Sequence, residues 1–404
     1  MTPSPPATAD ADVRASYSAK LGSATGSARH TEGMGLTSVV AEPRSGPEIG
    51  VIARFDARSG KRLAAREAAS AARAITLNQS GDLLVACQQE SPTAEGVLLA
   101  LAAKSLQTQS SAATAPFPID VLWGANGGFV VGAQDLDQAE LRLWWHSSPS
   151  ADGVLLEAEL TGAPEVSQDG SEVFAPTRSG IAVFNTATGE LVRGRELAQV
   201  QHITLNPSQL IVGVQDRSQE QPGGTVLALD PASLATQDSH AVHGHGIDAL
   251  CADPSGRYVV ASQTTDKVVA TLIDLAAASE QRVSGTDPAW ADAIVTATSP
   301  SGDLIVVATG DWGESGVLTV YDPRSLTVTH RFVLPGPPED LAFDTNGARL
   351  FLSSLDSDRI YPIDLTAGAA RFEPDAASWR AGFGATLVLS QDGGALLTAG
   401  SLET

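Results

Sequence analysis

One stretch of the chain decides the fold, because a short pattern of strands and turns occurs in it twice in succession. It comprises SPSGDLIVVATG (residues 299–310), GVLTVYDPRSLTVTHRFVLPG (316–336) and PPEDLAFDTNGARLFLSSLDSDRIYPIDL (337–365). The apolar runs are short and rich in Val, Ile, Leu and Thr, and Gly, Pro, Asn and Asp separate them, as expected for strands joined by tight turns. A four-stranded unit of this kind cannot bury both of its faces alone, so it needs copies of itself on either side.

The turn between the first two strands of the unit recurs along the whole chain, every 39 to 47 residues. It starts at Asn78, Gly124, Ser167, Asn206, Asp253, Ser299, Asp344 and Ser390. The hairpin between the third and fourth strands recurs as often, at residues 50–63, 96–108, 141–150, 180–192, 224–236, 267–279, 316–328 and 358–370. Repeats of this length are typical of β-propellers. We therefore predict an all-β, eight-bladed β-propeller of four-stranded antiparallel blades, with a seven-bladed ring as the alternative.

The two repeated patterns do not begin together, which predicts how the ring closes. A third-and-fourth-strand pair comes first in the chain, and a first-and-second-strand pair comes last. Pairing Ala385–Ser401 with Ile49–Glu67 would complete one blade and remove the open sheet edge, although Leu36–Glu42 also resembles a strand and could take part. Residues 1–33 are rich in Ala, Ser, Thr and Pro and are predicted to be a disordered tail. Residues 34–404 are predicted to form a single propeller domain.

Composition and charge limit the partners and the compartment. The net charge is −22, which disfavours binding to nucleic acid or to an anionic membrane surface, since both carry negative phosphates. No apolar run approaches the roughly 18 residues of a membrane helix, and the first residues lack the apolar core of a secretion signal. Cys87 and Cys251 lie in strand-like runs and are predicted to be buried, reduced thiols. These features together predict a cytoplasmic protein.

Two of the units resemble known propeller repeats. Residues 337–368 resemble the YVTN-type repeat, with Leu350–Ser354 where the YVTN tetrapeptide would stand. Residues 243–274 resemble a WD40 repeat, with a Gly-His pair at its start and Ile273–Asp274 in place of the closing Trp-Asp. The resemblance implies a YVTN/WD40-like propeller. It does not imply one function, because such families include lactonases, isomerase-like proteins, cofactor-binding proteins and scaffolds.

The candidate site lies where the first strands begin. In propellers of the kind that these units resemble, the first strands line a central channel, and a channel mouth with convergent polar groups is the default ligand site. Alignment on the turns places polar residues there: Arg73, Asp120, Gln201, His202, Asp248, Asp292, Glu339 and Asp340. Loops on the same face contribute further Asp and Glu residues, so we predict a small-molecule ligand with positive charge. The alternative is that these charges only keep the strand ends and loops soluble.

Acid–base chemistry of the lactonase or isomerase kind is one way in which such a site would act. A histidine would be the base, carboxyl groups would orient it or donate a proton, Arg73 would hold a substrate oxygen, and tryptophans would stack on a cation. The candidate catalytic residues are His202, His243, Asp248, Asp292 and Asp340, and the candidate substrate-binding residues are Arg73, Asp120, Trp290, Trp312 and Glu339.

Other classes stay open at this point. No cofactor is predicted, because haem, nucleotide and Cys-rich cluster motifs are absent from the sequence. His240, His243 and His245, with His202 nearby, offer an alternative divalent-metal site through their imidazole nitrogens. A non-catalytic WD40-like scaffold would hold a protein partner on the same face. A redox or tetrapyrrole-binding propeller would use one of the histidines as a ligand.

Overall fold

The described residues form β-strands and turns, with no α-helix among them. The computed structural model describes residues 27–30, 49–78, 82–88, 94–124, 127–135, 140–216, 223–242, 247, 249–254, 256–264, 268–275, 279–284, 293–310, 315–325, 327–354, 357–365, 379–380, 383–390 and 392–402. In this part of the chain no helix is long and apolar enough to cross a membrane. The prediction of an all-β fold is confirmed.

The strands assemble in antiparallel sets of four. After β1 (Ser27–His30), the strands of the first half of the chain are β2 (Ile49–Asp56), β3 (Arg62–Ala68), β4 (Ala72–Leu77), β5 (Asp82–Cys87), β6 (Gly96–Ala102), β7 (Thr108–Thr114), β8 (Pro118–Trp123), β9 (Phe129–Asp135), β10 (Glu140–His146), β11 (Val154–Leu160), β12 (Glu165–Val166), β13 (Glu172–Thr177), β14 (Gly180–Asn185) and β15 (Leu191–Glu196).

The second half of the chain continues the same sequence of strands. They are β16 (Val200–Leu205), β17 (Leu210–Asp216), β18 (Gly223–Leu229), β19 (Thr236–Val242), β20 (Ala249–Ala252), β21 (Tyr258–Thr264), β22 (Val268–Asp274), β23 (Ser279–Ser284), β24 (Ala293–Thr298), β25 (Ile305–Gly310), β26 (Gly316–Tyr321), β27 (Val328–Leu334), β28 (Pro338–Phe343), β29 (Arg349–Ser354), β30 (Arg359–Asp364), β31 (Trp379–Arg380), β32 (Phe383–Leu389) and β33 (Ala395–Leu402).

Most sets consist of four consecutive strands paired in chain order, such as β4 to β7 and β16 to β19. The repeated turns join the first two strands of a set, as predicted. In five of these turns the glycine amide donates to the carbonyl of the first turn residue, for example Gly302 to Ser299 and Gly347 to Asp344, at 2.8 and 3.0 Å. Both glycines have a φ near +70°, a conformation that residues with a Cβ rarely adopt.

The two ends of the chain meet in one set. β33 pairs with β2 from Ile49 opposite Leu402 to Asp56 opposite Ala395, so the sheet order is β3–β2–β33–β32. The predicted pairing of the C-terminal hairpin with the first N-terminal hairpin is therefore present. The first strands also contact one another in turn, β4 with β8, β8 with β12, and so on to β28 with β32, and β32 contacts β4. These inner strands bring distant parts of the chain together.

Two features depart from the regular arrangement. Leu160 of β11 pairs with Thr177 of β13, so the sets β8–β11 and β12–β15 join in one larger sheet. Ser27–His30, inside the segment predicted as a tail, pair antiparallel with β24 on the edge away from β25. The alternative strand Leu36–Glu42 lies outside the described residues.

The core lies between the faces of neighbouring sets, where second and third strands are apolar on both sides. Leu318 and Val320 of β26, for example, cluster with Leu341 and Leu350 of the next set, and all four are buried. Burying each such side chain contributes roughly 1.5–3 kcal/mol. The prediction for the cysteines is also confirmed, since Cys87 and Cys251 are free and buried, and burial raises the pKa of the Cys87 thiol to about 12.

Candidate functional site

The described residues include half of the predicted site. Arg73 lies in β4, Asp120 in β8, His202 in β16, and Glu339 and Asp340 in β28, so all five belong to inner strands. The other candidates lie outside the described residues; they are His243, Asp248, Trp290, Asp292 and Trp312. The histidine cluster proposed as a metal site is likewise described only at His240 and His202. Its role stays a prediction.

These inner strands share a β-bulge near their start, and the bulge sorts the candidates into two positions. The register against the second strand skips one residue between Ala72 and Ala74, Pro118 and Asp120, Val200 and His202, and Pro338 and Asp340. A bulge turns the extra residue away from the regular alternation of the strand. The extra residues are Arg73, Ile119, Gln201 and Glu339, and the residues after them are Ala74, Asp120, His202 and Asp340.

Asp340 connects two neighbouring inner strands. The amide of Leu341 donates to its Oδ1 and the amide of Leu387, in β32, donates to its Oδ2, both at 2.8 Å. The side chain is completely buried. Two amide donors satisfy a buried carboxylate and hold the strands together. The geometry therefore gives Asp340 a positioning role, and its predicted catalytic role stays a prediction.

Arg73 is held by the polar and aromatic groups around it. Its Nε donates to Oε1 of Gln88 at 2.9 Å, and its guanidinium lies 5.7 Å from the centre of the Phe117 ring. The cation–π contact and the hydrogen bond fix the direction of the half-buried side chain. Such a fixed guanidinium is suited to hold a substrate oxygen, as predicted for it.

Two buried carboxyl groups lie on neighbouring inner strands. Asp120 in β8 is 5% exposed and Glu165 in β12 is 7% exposed, and the two strands contact each other. The amide of Val121 donates to Oδ1 of Asp120 at 2.8 Å. Burial raises the pKa of Glu165 well above its usual range, and the negative charge of Asp120 raises it further. Burial and the nearby negative charge therefore both oppose ionisation of the Glu165 carboxyl group.

Sequence reasoning missed Glu165 because its spacing differs from that of the other copies. Asp120 and Asp340 each precede their turns, at Gly124 and Asp344, by four residues, whereas Glu165 precedes Ser167 by two. Its strand, β12, has only two residues, and the alignment on the turns gave no candidate in this copy of the repeat. An acidic residue in an apolar context close to a turn was the available signal.

The structure describes only some of the histidines, including His202 of the alternative metal site. His202 is half-buried in β16 next to the bulge. His146 is the last residue of β10 and is buried there. Within the described part of the chain no group of three or more His, Cys, Asp or Glu side chains could hold a metal ion.

Comparisons with known proteins show the fold. No family model matches the chain, and no curated protein matches it. The chain is similar to the hydrazine synthase of Kuenenia stuttgartiensis, with a TM-score of 0.52 and 14% identity over 73% of this chain and 96% of that one. It is also similar to a WD40 protein in a mitotic checkpoint complex, with a TM-score of 0.50 and 13% identity over 69% of this chain and 88% of that one. Together with the four-stranded antiparallel sheets, these similarities support a β-propeller-like fold.

Proposed function

We propose that this protein is a propeller that binds a small, positively charged molecule where the inner strands begin. The observation that carries the proposal is the buried pair of Asp120 and Glu165 on adjacent inner strands. Glu339, also buried on an inner strand, adds to the negative potential. Acidic groups in a site with apolar walls attract cations more strongly than the same groups on an open surface.

The proposed architecture is one domain of eight blades, from residue 34 to residue 404, after the tail over residues 1–33. The strands that follow β1 divide into eight sets of four, and the set that joins β2, β3, β32 and β33 comes from both ends of the chain. The inner-strand contacts run through all of these sets and return to the start. This favours eight blades over the alternative of seven. Reduced cysteines, buried and free, are consistent with the proposed cytoplasmic location.

An acid–base enzyme of the lactonase or isomerase kind is a second candidate. The observation in its favour is that burial and the charge of Asp120 raise the pKa of Glu165, since a carboxyl group with a raised pKa is suited to donate a proton to a substrate. Glu165 would donate a proton while Asp120 accepts one. His202, His243, Asp248 and Asp292 keep their proposed catalytic roles, and Arg73 its proposed role with a substrate oxygen.

Binding is tested by the thermal unfolding of the full chain with small probes of different charge. The probes are n-butylammonium, tetramethylammonium, neutral n-butanol, γ-butyrolactone, CaCl₂ and ZnCl₂. We expect the organic cations to stabilise the protein, because a ligand that binds only the native state raises its unfolding temperature. Glu339→Gln should weaken this response, and Glu190→Gln, a control at an exposed turn residue, should leave it unchanged.

The results of this experiment distinguish the cation-binding protein, the enzyme and the scaffold from one another. A protein that responds equally to n-butanol and to the cations would overturn the charge preference. A response to none of the probes would overturn small-molecule binding at this site and favour the scaffold reading. Hydrolysis of γ-butyrolactone, lost in an Asp120→Asn variant, would establish the enzyme reading.

A further inference from the structure

The short strand β1 extends one sheet at an edge that the other sets leave open. Ser27–His30 pair antiparallel with β24, on the side of β24 that faces away from β25, so this set has five strands. In the part of the chain that the structure describes, every other inner strand pairs only with the second strand of its own set. A free sheet edge offers unpaired amides and carbonyls, so it accepts an extended peptide as a further strand.

The position of β1 is inside the ring that the inner strands form. β1 contacts β20 and β28, the inner strands of the two neighbouring sets, as well as β24. The inner strands contact one another in turn, and the last of them, β32, contacts β4. A strand on the open edge of one of them that also touches both neighbours lies in the space that they surround. The N-terminal segment therefore fills part of the space in which a ligand of the inner strands would lie.

The register of β1 brings a basic residue to the level of the candidate site. Arg29 lies opposite Val295 of β24. Val295 precedes the repeated turn of its set by four residues, as Asp120 and Asp340 do in their sets. The segment thus carries a positive charge at the level at which other inner strands carry carboxyl groups, in a chain of net charge −22. The negative potential of such groups favours a cation there, which is also the charge of the proposed ligand.

The pairing of β1 is expected to be reversible. The strand has only four residues, and in an antiparallel pair only alternate residues exchange backbone hydrogen bonds with the partner strand. The small net gain from these bonds is offset by the entropy lost when the four residues become ordered. Residues 31–48 connect the segment to β2, so it meets the edge of β24 as an intramolecular partner, at an effective concentration on the order of millimolar.

We propose that Ser27–His30 form a displaceable plug, which occupies the space inside the ring of inner strands by strand addition to β24 and excludes the cationic ligand of the proposed site. The inference rests on the proposed function and adds the regulation of its site. A ligand binds only to molecules whose plug has left β24, so its apparent affinity is reduced in proportion to the fraction that is open. Holding the plug on β24 therefore weakens ligand binding, and weakening the pairing strengthens it.

The first test locks the plug with a disulfide in the full chain. Ala28 and Thr296 lie opposite each other, so in the variant Ala28→Cys/Thr296→Cys the two thiols come within reach of one another. After mild oxidation and then denaturation, we expect two free thiols per chain, those of Cys87 and Cys251, instead of four. Ala19→Cys/Thr296→Cys, a control with the new cysteine elsewhere in the N-terminal segment, should keep all four thiols.

Ligand binding is then measured on the same variant by isothermal titration calorimetry with n-butylammonium at pH 7. We expect the oxidised variant to bind n-butylammonium at least about tenfold more weakly than the wild type does, because its plug cannot leave. Reduction with dithiothreitol should restore the wild-type affinity.

The second test releases the plug without changing its charge. Proline has no amide hydrogen, and one of any two neighbouring residues of β1 pairs its amide with β24, so Ser27→Pro/Ala28→Pro removes a donor from this pairing. We expect this variant to bind n-butylammonium at least about threefold more tightly than the wild type does. Ser18→Pro/Ala19→Pro changes the same dipeptide outside β1 and should bind n-butylammonium as the wild type does.

The results distinguish failure of the plug from failure of the proposed function. Four free thiols after oxidation of Ala28→Cys/Thr296→Cys would overturn the plug. So would n-butylammonium binding that is the same in the wild type, the oxidised variant and Ser27→Pro/Ala28→Pro, although the cation site would then stand. If the disulfide forms and no variant, oxidised or reduced, binds n-butylammonium, the pairing with β24 is correct, but the proposed cation site and its regulation by the plug are both wrong.

Discussion

Asp120 and Asp340 occupy the same place in two copies of one motif, yet their surroundings differ. Each follows a proline by two residues, at 118–120 and 338–340, and each comes directly after a bulge in an inner strand. In both, Oδ1 accepts the amide of the next residue at 2.8 Å. The local sequence therefore determines the bulge, the direction of the side chain and its first hydrogen bond.

The neighbouring strand accounts for the difference between them. β32 presents the Leu387 amide to the second oxygen of Asp340, which joins the two strands. β12 presents the Glu165 carboxyl group near Asp120. One copy of the motif thus stabilises the fold, and the other concentrates negative charge. The same motif can serve packing or binding, depending on a residue more than forty positions away in the sequence.

The largest loss of stability is expected from Asp340→Ala. It removes two hydrogen bonds to a charged group and leaves the buried Leu387 amide without its acceptor, so stability should fall by about 3 kcal/mol. Urea unfolding of the purified protein measures this. The control is Asp303→Ala, which breaks an exposed ion pair to Arg324 and should change stability by less than about 0.5 kcal/mol. Similar losses for the two variants would show that Asp340 does not join the strands.

A second test concerns His146, in the same sheet as Asp120. Its ring stacks on Phe129 at 4.6 Å, Nδ1 lies 2.9 Å from the carbonyl of Ala151, and Nε2 lies 3.1 Å from Oγ1 of Thr114. Nδ1 therefore donates to the carbonyl, and Nε2 accepts from the hydroxyl. We expect His146→Gln to lower stability by about 2 kcal/mol at pH 8 through lost packing and hydrogen bonding.

The pH dependence of this region follows from the same histidine. Burial lowers the pKa of His146 below its usual 6.5, although the carbonyl of Ala151 and the charge of Asp152 oppose the shift. As the pH falls below about 6.5, the unfolded chain therefore takes up a proton before the native protein does, and native stability decreases. His146→Gln should remove this decrease in stability at acid pH, and His330→Gln, a control at a half-buried histidine of β27, should keep it. An unchanged slope in His146→Gln would contradict the assignment.

Glu165→Gln should change the stability of the protein by a smaller amount, and it should stabilise the protein rather than destabilise it. The unfolded chain loses the Glu165 proton near its usual pKa of 4.5, whereas the native protein keeps it to higher pH, so wild-type stability decreases as the pH rises above 4.5. The variant should therefore be more stable by about 1 kcal/mol at pH 8 and equal to the wild type at pH 4. Thermal unfolding across this range measures the difference. A variant that is less stable at pH 8 would show that Glu165 is ionised and paired.

The smallest change in stability is expected from Asp120→Asn. This substitution keeps an oxygen that accepts the hydrogen bond from the Val121 amide and removes the negative charge near Glu165. Its stability at pH 8 should lie within about 0.5 kcal/mol of the wild type. In this background the gain from Glu165→Gln should be smaller, because one cause of the raised pKa is gone. A double-mutant cycle measures this coupling. Strict additivity would mean that the two carboxyl groups do not interact.

Much of the fold could be predicted from the chain alone, because the features involved are local. A tight turn needs particular residues within four positions, so the repeated turns located the first two strands of each set. The turn at Asn206 lacks the usual glycine, yet it forms: the Asn206 amide donates to the Gln209 carbonyl, and its Oδ1 accepts the amides of Ser208 and Gln209. The asparagine side chain supports this turn in place of the missing glycine.

The site could be predicted only in part, because its chemistry depends on contacts between strands. Alignment on the turns located the inner strands and named Arg73, Asp120 and His202 on them. It treated residues at the bulge and residues after the bulge as one class, since the bulge appears only in the pairing with the second strand. It also missed Glu165, whose strand is short and whose neighbour is set by the packing of two sheets.

The amino-acid sequence by itself determined the repeat, the strand boundaries and the pairing of the two chain ends, because alternating apolar residues and turn residues act over a few positions. Only the tertiary structure decided which carboxyl groups accept hydrogen bonds from the amides of a neighbouring strand and which lie close to another carboxyl group. Burial and the nearest charge determine those properties, and both come from strands distant in the chain.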